Sequence, residues 1–275
     1  MNRRLLALDL DGTILVDPYK LDEELSEILK LLALKGDIIL FNTGRTFAYS
    51  RHIFKSLDFA FYSGFTNGVA LASFPGREII YEASLPAELL FETRRLFIKH
   101  HIDPIFQGGM RNNDITIFEP LQYPSKELLE IFSEDSHRRR EVESLDKDNT
   151  QDFVSVFGCS NNGRGVMELS EELNTIDGLY SVAFLHSYYE DSYWITVSSE
   201  SINKGVPVRK ISARYGLEKS RIYAFGNDRN DVPMLREAGH PVSVADAPEE
   251  VKSIAEEIVE TPDKRGVLNY LKALI

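Results

Sequence analysis

The stretch at residues 5–15, LLALDLDGTIL, sets the terms for the whole chain. Residues 4–10 read as a buried apolar strand. Its end carries two aspartates, Asp9 and Asp11, followed at once by Gly12 and Thr13. Residues i and i+2 of a strand point the same way, so the two carboxylates come side by side. They repel unless a cation or a shared proton intervenes. Gly12 lets the chain turn sharply. Two readings are open: a turn aspartate beside a helix cap, or a nucleophile beside a general acid/base with Mg²⁺ bridging them.

Working outward, residues 21–35 place Leu21, Leu25, Ile28, Leu29 and Leu32 on one helical face, and Gly36 stops the helix. DIILFNTG (37–44) is a second apolar strand, followed by a helix at 46–57 and a short strand, FAFYS. Strands alternating with helices predict a doubly wound parallel sheet. The pattern changes near residue 67, where TNGVALASFPGREIIYEA reads as strand, Pro-Gly turn, strand. Residues 85–190 read as mixed α+β, with helices at 86–100, 124–139 and 163–174 and strands between them. Alternation resumes with a helix at 205–215, strands at 221–225 and 241–245, and helices at 231–238, 248–257 and 265–274. The expected organisation is a core in two parts, 1–82 and 193–275, interrupted by an inserted domain at 83–192, a size suited to a separate fold.

In an open parallel sheet, ligands bind outside the carboxyl ends of the strands. Besides DLDGT, three segments fall at strand ends or helix starts. FNTGR offers the Thr43 hydroxyl and a glycine, Gly44, that allows close approach of an anion; the alternative is a plain strand-to-helix turn. INKGVPVRKI sets Lys204 before a helix, where free N–H groups already favour an anion; the alternative is a surface lysine. GNDRND follows a strand and supplies Asn227, Asp228, Asn230 and Asp231, oxygen donors of the type a hard cation needs; helix capping is the alternative for Asp231.

The composition sets bounds on function. The 275 residues are 43% hydrophobic and 27% charged, as in ordinary globular chains. A net charge of −12 disfavours nucleic acid and anionic membranes, so an anionic ligand needs a local site. A single cysteine, Cys159, permits no intramolecular disulfide. The apolar run near the N-terminus is broken by Asp9, which argues against a signal peptide, and no stretch approaches the roughly 18–20 apolar residues of a membrane span. A cytoplasmic protein, monomeric or homodimeric, is expected.

The order and spacing of these segments resemble the haloacid dehalogenase superfamily of phosphohydrolases. DLDGTIL is similar to its first motif, NTGR to its second, Lys204 to its third and GNDRND to its fourth. The insertion after the second motif, with TNGVAL before it, resembles the Cof-type subgroup with its C2-type α/β cap. The resemblance implies a Rossmann-like α/β core and a Mg²⁺-dependent phosphatase of small phosphorylated metabolites, sugar phosphates first. Asp9 would form an aspartyl-phosphate, Asp11 would serve as acid and then base, and Thr43 and Lys204 would bind the transferring group. The phosphate-binding set expected is Leu10, Gly12, Thr43, Gly44, Arg45, Lys204 and Asn230, and the metal set Asp9, Asp11, Asn227, Asp228 and Asp231. The family usually has Asp where Asn227 stands, so either Asn227 or Asp228 takes that place, or catalysis is weakened. A phosphosugar mutase with the same nucleophile and a non-catalytic phosphometabolite-binding protein are the alternatives.

Other segments carry bland readings. Arg138–Arg140 reads as a solvated helix end, His100 and His101 as dipole partners, and Trp194 with the tyrosine-rich HSYYEDSYW as packing. Arg111 is a candidate to face substrate, and Asp246 reads as a helix N-cap.

Overall fold

β1 (Leu5–Leu8) is buried at all four positions, as a strand covered on both faces of a parallel sheet must be. The computed structural model describes residues 3–134, 136–145, 152–186, 189 and 191–275. β1 is followed by α1 (Glu23–Leu34), β2 (Ile38–Asn42), α2 (Phe47–Phe54), β3 (Phe61–Phe65), β4 (Ala70–Phe74) and β5 (Glu78–Glu82). Then come α3 (Ala87–Lys99), β6 (Ile105–Gly108), β7 (Thr116–Phe118), α4 (Lys126–Glu134), β8 (Arg139–Glu141), β9 (Phe153–Ser160), α5 (Gly163–Leu173), β10 (Leu179–Leu185) and β11 (Tyr193–Ser199). The chain closes with α6 (Gly205–Tyr215), β12 (Ile222–Gly226), α7 (Val232–Glu237), β13 (His240–Val244), α8 (Glu249–Lys252), β14 (Glu257–Val259) and α9 (Gly266–Ala273).

Two compact units result, Met1–Tyr81 with Asn203–Ile275, and Glu82–Ile202. The first is a sheet in the order β14-β13-β12-β1-β2-β3-β4-β5. Its strands from β14 to β3 run parallel, and β4 turns back antiparallel against β3. β1 lies between β2 and β12, so the ends of these three neighbours meet, and ligand sites in such sheets form there. The helices pack by the periodicity visible in the sequence. α1 buries Leu25, Leu29 and Leu32, and the Asp22 carboxylate accepts from Leu25 N at its start.

The second unit is a sheet in the order β10-β11-β9-β6-β7-β8. Leu90, Phe97, Val166, Leu169 and Leu173 from α3 and α5 pack on Phe106, Val156 and Ile195 of its strands. A smaller cluster joins Ile105, Leu128 and Cys159 with Phe157 and Trp194, whose rings stack at 5.9 Å. Trp194 therefore packs as expected; within the tyrosine-rich segment, Ser187, Tyr188 and Glu190 lie outside the described residues.

Several boundaries differ from the sequence reading. The second unit runs beyond residue 192 because β11 is hydrogen-bonded between β10 and β9. The helix expected over 124–139 ends at Glu134, and Arg139–Glu141 is an edge strand beside β7. Arg139 stacks its guanidinium 4.7 Å from the Phe132 ring; Arg138 closes a short 3-10 turn and Arg139 and Arg140 lie in the edge strand, so the basic run is not the end of α4. The helix expected over 248–257 stops at Lys252, and Glu257–Val259 joins the sheet edge beside β13. Short polar segments of this kind carry little periodicity, and strand pairing decides them. Asp246 is not the cap of α8; Pro248 holds that position. His100 binds Glu172 at 2.8 Å. Arg111 is exposed, 3.9 Å from Glu82.

One glycine ties the return of the chain into the first unit. Gly68 has φ +95°, and a Cβ there would strike the Asn203 carbonyl group, one residue before Lys204. Gly68→Ala should therefore cost at least about 1 kcal/mol, read as a fall in Tm. Unchanged stability would mean that the Asn203 backbone moves aside freely.

Candidate active site

Asp9 continues β1 by donating its N–H to the Phe225 carbonyl at 3.0 Å, and its side chain is buried. Asp9 Oδ1 accepts from Lys204 Nζ at 2.5 Å, and Asp9 Oδ2 accepts from Thr13 Oγ1 at 2.9 Å. The same Lys204 Nζ donates to Asp231 Oδ1 at 2.6 Å. Lys204 is only 1% exposed and Asp231 not at all. The lysine is thus no surface residue: it holds the end of β1, the start of α6 and the loop after β12 together.

The other side chains assemble around this triplet. Asp231 Oδ2 accepts from the N–H groups of Asn227 at 2.9 Å and Asp228 at 3.0 Å. Both Asp231 oxygens are therefore engaged, one by the lysine and one by the loop, and the residue supports the loop. Thr43 is buried at the end of β2, where its N–H donates to the Gly64 carbonyl and its hydroxyl accepts from Arg45 N at 3.0 Å. Asn230 Nδ2 donates to Asn67 Oδ1 at 3.0 Å, and Asn67 N donates to the Thr43 carbonyl at 3.1 Å, so the second and fourth segments are tied through Asn67. Asn67 also lies against Gly44. The Leu10 carbonyl accepts from the N–H groups of Ile14 and Leu15, closing the turn in which Gly12 has φ +75°.

Arg45 is placed differently from expectation. Its guanidinium pairs in bidentate fashion with the Asp11 carboxylate, Nε donating to Oδ2 at 2.8 Å, and it also donates to the Pro18 carbonyl. It is committed to orienting Asp11. Asp11 in turn stands half-buried, not sealed like Asp9.

Three residues outside the expected set belong to the site. Thr13 holds Asp9, Asn67 links the segments, and Asn42 donates from Nδ2 to the Lys204 main-chain carbonyl at 2.6 Å. Asn42 is fully buried in an otherwise apolar strand. A polar residue within IILFN was the signal for it.

The charges are strongly coupled. Burial pushes the Asp9 carboxyl up to about 7; Asp231 and Asp11 add to that shift, and Lys204 opposes it. Burial alone would lower the Lys204 ammonium, yet Asp231 and Asp9 outweigh it and hold the group above its ordinary value. Burial also raises the Asp228 carboxyl, which accepts from Arg229 N at 2.7 Å.

Among the described residues no three His, Cys, Asp or Glu side chains gather as metal ligands. The oxygens that do gather are of mixed kind. The inward atom of the Asn227 amide lies 3.0 Å from the Asp11 carbonyl oxygen and 3.2 Å from Asp9 Oδ2; both are acceptors, so with its nitrogen inward the amide donates to both. Adjacent oxygens around an octahedral Mg²⁺ with bonds of 2.0–2.1 Å lie about 3 Å apart. With the amide oxygen inward, the residues present therefore fit a small hard cation, with Asn227 beside Asp9 and the Asp11 carbonyl.

The model of the haloacid dehalogenase-like hydrolase family matches residues 6–271. The chain is 26% identical to the 5-amino-6-(5-phospho-D-ribitylamino)uracil phosphatase YitU of Bacillus subtilis (strain 168), over 98% of this chain and 96% of that one. Among solved structures it superposes on a haloacid dehalogenase-like hydrolase from B. subtilis with a TM-score of 0.81, 20% identity and coverage of 99% and 100%. It also superposes on the HAD subclass IIB sugar phosphatase BT4131, with a TM-score of 0.77, 21% identity and 98% of each chain.

Two outcomes follow from the geometry. Asn42→Ala removes a buried hydrogen bond to the Lys204 backbone. It should cost about 1–3 kcal/mol, seen in denaturant unfolding, and lower the rate of any reaction that uses Lys204. A normal rate would leave Asn42 a packing role only. The second concerns pH, in EDTA. Because the folded Asp9 carboxyl is raised, the native state holds a proton there that the unfolded chain has lost, so this group's contribution to stability falls as pH rises from about 4 to about 7. Asp9→Asn abolishes that slope. Its Tm relative to wild type should be higher at pH 8 than at pH 5; a constant difference would contradict the raised value.

Proposed function

Since the chain belongs to the haloacid dehalogenase-like hydrolase family, we propose that it is a Mg²⁺-dependent phosphatase of small phosphorylated metabolites, with sugar phosphates the first class to test. The observation that carries this reading is the buried Lys204 ammonium between Asp9 and Asp231, at the strand ends where Thr43 also stands. The relatives support the substrate class: one acts on a phosphorylated ribityl compound and another is a sugar phosphatase.

Asp9 Oδ2 is held by Thr13, and Oδ1, held by Lys204, becomes the attacking atom as Lys204 turns to the transferring group. Attack forms the bond from Oδ1 to phosphorus and breaks the ester bond, giving an aspartyl-phosphate. With one Asp11 oxygen protonated and the other held by Arg45 Nε, the carboxyl donates its proton to the departing oxygen. It then takes a proton from the water that attacks phosphorus, and the bond to Asp9 breaks to release phosphate. Lys204 moves from neutralising carboxylates to neutralising the transferring group, and the Thr43 hydroxyl binds one of its oxygens. A bound Mg²⁺, held by Asp9, the Asp11 carbonyl and Asn227, would offset the phosphoryl charge. Cytoplasmic location is part of this reading; among the described residues no helix is long and apolar enough to cross a membrane.

The test is phosphate release from a panel of sugar phosphates and other phosphorylated metabolites, with Mg²⁺ and with EDTA. Release of phosphate from a few of them in Mg²⁺ only, abolished in Asp9→Asn, is expected. Release unaffected by Asp9→Asn would remove Asp9 as nucleophile. A folded, Mg²⁺-saturated protein that releases nothing would overturn the phosphatase.

A further inference from the structure

Asn227 stands where the family resemblance implies a carboxylate, and its surroundings give the amide a second use. The side chain is wedged against Gly12: a Cβ on Gly12 would run into the Asn227 amide, so the two are in close packing. The amide atom that points inward has three neighbours, the Asp11 carbonyl oxygen at 3.0 Å, Asp9 Oδ2 at 3.2 Å and Thr13 Oγ1 at 3.2 Å. Two of the three accept hydrogen bonds and donate none. The Thr13 hydroxyl has one proton, and Asp9 Oδ2, at 2.9 Å, competes for it.

With oxygen inward, the amide meets these acceptors with no proton between them. That arrangement needs a cation. With the amide turned through a half-rotation, its nitrogen points inward and donates to the Asp11 carbonyl and to Asp9 Oδ2. That arrangement needs none. A carboxamide has both faces; a carboxylate has only acceptors. An aspartate here would leave a third anionic group facing Asp9 in a site that is already short of positive charge.

We propose that Asn227 is a tethered stand-in for the cation: its NH₂ satisfies Asp9 and the Asp11 carbonyl in the metal-free protein, and its oxygen turns inward when a divalent cation enters. This rests on the reading of the site as metal-assisted. The consequence is a site stable without metal, at reduced affinity, because the entering cation displaces two internal hydrogen bonds and gains a neutral ligand.

The experiment compares wild type, Asn227→Asp and Asn227→Ala by thermal unfolding in EDTA and in saturating MgCl₂, with Mg²⁺ binding by calorimetry. In EDTA both variants should melt several degrees below wild type. In Mg²⁺, Asn227→Asp should recover to or above wild type, with a Kd at least tenfold tighter, while Asn227→Ala should stay low. An Asn227→Asp protein that folds only with Mg²⁺ would support the proposal equally. Equal melting of wild type and Asn227→Ala in EDTA would overturn it, since the amide would then hold nothing. None of these readouts uses turnover. A wild type that hydrolyses no phosphate ester would sink the functional reading and leave this ordering intact; loss of the ordering with hydrolysis intact would sink the proposal alone.

Discussion

Two carboxylates share one ammonium inside the first unit. Asp9 and Asp231 both contact Lys204 Nζ, and all three side chains are withdrawn from water. Charges taken out of water are costly unless paired, and removing one partner from such a set costs about 3–5 kcal/mol. The cluster is nevertheless unbalanced, with two negative charges against one positive. That surplus adds to burial, the larger cause, in pushing the Asp9 carboxyl up to about 7. It also explains why the other side of Asp9, at Oδ2, is lined by a hydroxyl and an amide. Folding gathers three segments far apart in the chain, and what keeps them gathered is the same charge arrangement that the proposed chemistry draws on.

Around the triplet, each neighbouring group removes a degree of freedom. Asp231 fixes the loop after β12 through two N–H groups, Asn42 fixes the Lys204 main chain, and Arg45 fixes Asp11. Networks of buried polar groups rigidify a site more than their individual strengths suggest. A rigid constellation of this kind is what electrostatic stabilisation of a transferring phosphoryl group requires, since donors that must reorganise lose much of their effect.

Much of this was legible in the sequence. The alternation of apolar strands with amphipathic helices marked the first unit, and its loss over 83–192 marked an insertion that runs in the structure from Glu82 to Ile202. Asp9, Thr43, Lys204 and the GNDRND loop meet in space because strand ends in a parallel sheet point to one edge. What could not be read was the assignment of partners. In the sequence Asp231 reads as a metal donor, but a loop that folds back on itself offers it N–H groups first. Arg45 reads as an anion binder, but its guanidinium is taken up by Asp11. Asn227 and Asp228 were indistinguishable until the turn at Gly12 placed one of them against Asp9. The short strands β8 and β14 were hidden because pairing with a neighbour, not local periodicity, forms them.

The contacts that set Lys204 have a consequence for how the chain returns to the first unit. The segment from Asn203 to Pro207 is seated on Gly64 and Gly68, pinned by Asn42 and neutralised by Asp9 and Asp231, all of them in the first unit. The chain therefore re-enters the first unit at a docking point made by that unit's own residues, and the Asn203–Pro207 seat fixes where the ammonium stands.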